Sequence, residues 1–115
     1  MWWLLIFERK IVEVIKDEEV EHVFIICSKD NHVYYNSTNG NNKEVDCPVN
    51  PDILNNCTII HNHPIFKWRE KGVDYKEGLS NEDILTAKRN NAFRMILVEN
   101  NGIYSEIKEY KIKWV

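Results

Sequence analysis

The stretch Thr58-Ile59-Ile60-His61-Asn62-His63-Pro64 constrains this chain more than any other. Thr58-Ile59-Ile60 is β-branched and apolar, the composition of a short buried strand. It runs straight into two histidines spaced i and i+2. Side chains at that spacing leave a strand on the same side. His61 and His63 therefore project together, and Pro64 stops the strand and fixes its exit.

The rest of the chain supplies elements to surround that strand. Residues 4–18 carry Leu4, Phe7, Ile11, Val14 and Ile15 at helical spacing, although Lys10 to Ile15 also reads as a strand. Glu21 to Ser28 is a buried strand, Asp30-Asn31 a turn, and Val33-Tyr34-Tyr35 a returning strand. Residues 36–56, rich in Asn and holding Pro48 and Pro51, are loop, with one short helical turn expected at Pro51 to Leu54. Residues 65–79 are polar and aromatic, with Gly72 and Gly78, and read as a long loop. Ser80 to Asn90 is a helix: Ser80 is a good N-cap, and Glu82 and Asp83 suit the positive end of the helix dipole. Arg94 to Glu99 and Ile103 to Lys108 pair through the Asn101-Gly102 turn. Tyr110, Ile112 and Trp114 alternate with lysines as a further strand. The order is mixed α/β, with hairpins in place of regular βαβ units.

Length and charge narrow the function. At 115 residues the chain is one domain, 1–115, large enough for a core of its own. A net charge of −3 with no basic run argues against a nucleic-acid partner. The apolar run Met1 to Phe7 is too short to span a bilayer and lacks the marks of a signal peptide, so it is core or partner-facing surface. No membrane association is expected. Cys27, Cys47 and Cys57 are odd in number and show no CxxC spacing, which points to a reducing, cytoplasmic setting with Cys27 as a small buried hydrophobe. Without a secretory signal, the glycosylation triplets at Asn36 and Asn56 carry no weight.

Two histidines and a distal aspartate, Asp83, make a three-ligand metal set with an open position, the arrangement of a catalytic zinc site. Neutral imidazoles suit zinc. Asp83, in the first turn of the helix after the loop, can reach the same ion. Hydrolysis also needs a proton carrier. Glu21, at the mouth of the strand Glu21 to Ile26, is the candidate, and Ser80 can donate to a developing oxyanion. Taken singly, each feature has an ordinary reading. Histidine pairs occur on bare surfaces, Ser-x-x-Asp starts many helices, and Glu21 can be a solvated strand end. His22 and His32 read as strand and turn positions without partners.

The series Glu, then His-x-His-Pro, then Ser-x-x-Asp resembles the JAMM metalloprotease family, over about residues 21–106. The Asn between the histidines is similar to the RadC-like branch. The resemblance implies a cytidine-deaminase-like α/β (α+β) fold, a curved mixed sheet flanked by helices. It implies one Zn2+ on His61, His63 and Asp83, with Ser80 as oxyanion donor and Glu21 as general acid/base. It also implies cleavage of peptide or isopeptide bonds, in the manner of a deubiquitinase-like isopeptidase, with a ubiquitin-like or small carrier protein as the partner. Two features depart from the family. The spacer of residues 65–79 is long, and Phe66, Trp68 and Tyr75 in it can contact a substrate tail. Glu19 shares strand parity with Glu21, so either can be the carboxylate. The competing functions are a non-catalytic binding module of the same fold and a RadC-like protein acting with nucleic acid.

Overall fold

The central strands are buried on both faces, and a helix packs on each face. The structure, a computed structural model, describes residues 2–27, 32–37, 56–72, 78–79, 81–89 and 92–111, apart from the side chains of residues 2–5, 81, 82 and 86. Its elements run α1 (Trp2–Ile15), β1 (His22–Cys27), β2 (His32–Ser37), β3 (Thr58–His63), α2 (Ile65–Glu70), α3 (Asn81–Arg89), β4 (Arg94–Asn100) and β5 (Ser105–Lys111). The strands form one mixed sheet in the order β2-β1-β3-β4-β5. β3 and β4 are parallel, and the other neighbours are antiparallel. This is the mixed α/β sheet that the sequence implies. The predicted turn at Asp30-Asn31 and the helical turn at Pro51 to Leu54 lie outside the described residues.

On the first face, Ile26, Ile60, Ile96 and Val98 meet Ile11, Val12 and Ile15 of α1. The buried stripe of α1 is thus Glu8, Ile11, Val12 and Ile15, spaced i, i+3, i+4, i+7. Val14, predicted for the stripe, is 63% exposed, because it lies beyond the edge of the stripe. Glu8 is buried there as the partner of Arg94, whose other nitrogen bonds Glu109 at 2.7 Å. On the second face, Val23, Ile25, Ile59, Met95 and Leu97 pack with Leu79, Ala87 and Ala92, and Ile84 of α3 completes the cluster. Ile25, Ile60 and Leu97 are wholly buried. Burying each such side chain stabilises the fold by about 1.5–3 kcal/mol.

Three expectations change. Residues 65–79 are not loop throughout: Ile65–Glu70 is α2. Pro64 ends β3, and its carbonyl accepts from Lys67 N and Trp68 N at 3.0 and 3.1 Å, which nucleates the helix at once. The composition of Ile65 to Glu70 contains no breaker, and the glycines that read as loop begin only at Gly72, in the left-handed region at φ 68°. Next, β5 runs unbroken over Ser105–Lys111 and takes in Tyr110, which was expected to open a further strand; Ile112 and Trp114 of that strand lie outside the described residues. The hairpin loop is four residues, closed by Asn101 N donating to Tyr104 O at 3.3 Å. The Asn101 side chain accepts from Ile103 N and Tyr104 N, and Gly102 takes φ 95°.

The third change concerns cysteine. Cys27 and Cys57 form a disulfide with a Cα–Cα distance of 4.6 Å. The β1–β3 register pairs Ile26 with Thr58, so the next residues of the two strands, Cys27 and Cys57, meet across the pair. Their separation of 30 residues hides this relation from local sequence reading. The expectation of a reducing compartment rested on unpaired cysteines and loses that basis. Among the described residues no helix is long and apolar enough to cross a membrane.

Candidate metal centre

The site grows from the end of β3. His61 and His63 share one side of that strand, with ring centroids 5.0 Å apart and an interplanar angle of 70°. The register Val23↔His61 brings the start of β1 alongside. Glu21, the residue before β1, thereby arrives beside the histidines. One donor atom from each of Glu21, His61 and His63 lies within 4.8 Å of the other two. All three residues are buried, at 6, 4 and 7% exposure. This set can hold a metal ion.

Two observations fit a metal better than an ordinary polar core. First, His61 Nε2 and His63 Nδ1 are buried with no hydrogen-bond partner in the protein. An orphaned buried polar atom costs about 1–3 kcal/mol, so two of them side by side call for a ligand. Second, burial lowers the pKa of both imidazoles, and His63 falls to about 4. For His63 the neighbouring His61 pushes further down, while Asp83 and Glu99 pull back up. At neutral pH both rings are uncharged, the form in which nitrogen can ligate a metal. Two nitrogens and one carboxylate are a donor set that catalytic zinc and non-haem iron both accept.

The surroundings come from four elements. Because α2 starts directly after Pro64, it folds Trp68 back onto His63, with ring centroids 5.0 Å apart. Trp68 is half-buried, a wall of the site, where the sequence suggested an exposed loop aromatic. Phe66 is also half-buried, and Tyr75 lies outside the described residues. On β4, Glu99 pairs in register with His63 and is 5% exposed. Its carboxylate binds Lys108 of β5 and accepts from Gly78 N at 2.8 Å. Glu99 thus tethers the chain just before α3 to the sheet. Glu99 and Lys108 were missed by sequence reasoning, since only the β3–β4 and β4–β5 registers place them here.

Of the predicted site residues, the structure groups Glu21, His61 and His63. Asp83, the expected third ligand, is half-buried on α3 and outside that group. The helix rests on the sheet through Ile84 and Ala87, and Asp83 reaches the imidazoles through its charge. Ser80 lies outside the described residues. Geometry separates the two glutamates, and it is Glu21 that lies beside the histidines. The chain turns over residues 16–20 before β1 begins, so Glu19 does not share strand parity with Glu21. Its side chain is 67% exposed and paired with Lys67 at 3.3 Å. His22, given no partner from sequence, bonds Tyr35 Oη through Nδ1 at 2.7 Å.

Compared with protein-family models, curated proteins and solved structures, the chain finds no match.

Proposed function

We propose that the chain is a metal-dependent hydrolase of the JAMM type that cleaves a peptide or isopeptide bond, with zinc as its metal. The carrying observation is the buried cluster of Glu21, His61 and His63 with two imidazole nitrogens left without partners. In this reading His61 and His63 hold the ion as neutral rings. Zinc in such a donor set supplies Lewis acidity that activates water toward a carbonyl. Glu21, buried beside the rings, takes the proton and returns it to the leaving amine. Asp83, whose charge reaches both rings, would be the third ligand and leave Glu21 free for the proton, and Ser80 would donate to the oxygen that gains charge. The half-buried Trp68 keeps bulk water off His63. A ubiquitin-like or small carrier protein with a flexible tail is the substrate class we favour, since a tail can enter a small site that a folded domain cannot.

Elemental analysis of protein expressed in zinc-supplemented medium tests this reading. About one zinc per chain is expected, and His61→Ala and His63→Ala should each lose it. Wild-type protein without metal, or with iron in zinc's place, overturns the assignment. Loaded protein that cleaves no isopeptide-linked or peptide substrate overturns the hydrolase.

A further inference from the structure

The residue between the two histidines has its own task. The β1–β3 ladder ends at Val23↔His61. The next connection across the two strands comes from a side chain. Asn62 Oδ1 accepts from His22 N at 2.6 Å, and Asn62 Nδ2 donates to Val20 O at 3.0 Å. Asn62 is 2% exposed. The Val20 carbonyl belongs to the peptide unit before Glu21, and the His22 N–H to the unit after it. One carboxamide therefore holds both peptide planes that flank Glu21. With the planes held, the backbone dihedrals of Glu21 have little freedom, and its side chain leaves from a fixed point.

We propose that Asn62 is the positioning residue for Glu21: its carboxamide clamps the backbone on both sides of that glutamate and aims the carboxylate at the histidine pair. A strand offers two sides. His61 and His63 use one for the candidate metal, and Asn62 uses the other for the clamp. The His-Asn-His triplet thus sets three groups of the site from consecutive residues. Asn is well suited to this, since its donor and acceptor mimic a peptide edge and meet a C=O and an N–H together. Asp at this position offers no donor to Val20 O, and Ala offers nothing. The proposal deepens the hydrolase reading and rests on it for its catalytic consequence.

The test has two parts. In metal-free protein, amide exchange at His22 reads the clamp directly. Asn62→Ala should speed that exchange about tenfold or more, with the amides of Ile59 and Ile60 changed by less than about twofold, as expected when one hydrogen bond is lost and the fold persists. Asn62→Asp, nearly isosteric, keeps the acceptor for His22 and should fall between. Unchanged exchange at His22 in both variants, or equal acceleration throughout β3, refutes the clamp. In zinc-loaded protein, Asn62→Ala should lower kcat by about 10- to 100-fold, the usual consequence of a loosened reacting group. KM and zinc content should stay within about twofold. On a Glu21→Gln background the same substitution should cost nothing further, because the group it positions is gone. Additive losses in the two backgrounds overturn the positioning role. A wild type that hydrolyses nothing sinks the hydrolase alone, while the exchange result still decides the clamp.

Discussion

Acidifying the metal-free protein from pH 7 to pH 5 should strip away a defined part of its stability. His63 titrates at about 4 in the fold against 6.5 for an ordinary histidine, chiefly because burial disfavours its charged form. The unfolded chain therefore takes up a proton that the folded chain refuses. This contribution is intact above pH 6.5 and is lost as the pH falls toward 4. The whole shift corresponds to about 3 kcal/mol. About 2 kcal/mol of that disappears between pH 7 and pH 5, by the same linkage. His61 and His22 are shifted in the same direction, both by burial, and add to the loss. Ordinary carboxylates hardly titrate in this window, so the histidines dominate it. Urea unfolding in the presence of chelator, at pH 7, 6 and 5, measures the fall. The same series on His63→Gln should be shallower by about 2 kcal/mol. A wild-type stability that is flat over these two pH units, or a slope unchanged in the variant, refutes the claim that His63 is held neutral by burial.

Three other outcomes are expected. Glu21→Gln should keep zinc and cut hydrolysis to a small residual rate, whereas Glu19→Gln should leave both within about twofold, as befits an exposed ion pair; zinc loss in Glu21→Gln would make Glu21 a ligand. Trp68→Ala should open the wall over His63 and move its pKa back up toward 6.5, readable by NMR of the ring protons, while Trp68→Phe moves it less; an unchanged titration would show that Trp68 does not shield the ring. Ile60→Ala, at a wholly buried position in the central strand, should lower unfolding free energy by about 2–5 kcal/mol in urea melts, and a loss below about 1 kcal/mol would show that the α1 face is loosely packed.

The sequence spoke clearly where its signals were periodic. The parity of His61 and His63 follows from the strand period and holds in the structure, as does the helix from about residue 80. Between the glutamates parity could not decide, because the turn over residues 16–20 interrupts the strand on which the parity argument depends. α2 was hidden by two glycines further along, which coloured the whole spacer as loop. Glu99, Lys108 and the Cys27–Cys57 pair depend on strand register and strand order, which are relations between distant segments and leave no local mark. Asn62 stood in plain view within the motif, yet its partners lie 40 and 42 residues away.

The docking of α1 sets a schedule for folding. Glu8 meets Arg94 across 86 residues, and the carbonyl of Lys16 accepts from Asn100 at 2.7 Å and from Ser105 at 3.4 Å, across 84 and 89. The helix precedes β1 and β3 and can meet Ile26 and Ile60 once these exist, but its seat is complete only when β4 and β5 have been synthesised. β1, with Glu21 before it, and β3 with its histidines meanwhile emerge with one face of their sheet uncovered. Loop closure over so long a span comes late and slowly. The nascent chain thus carries both halves of the candidate metal cluster well before it owns a closed core.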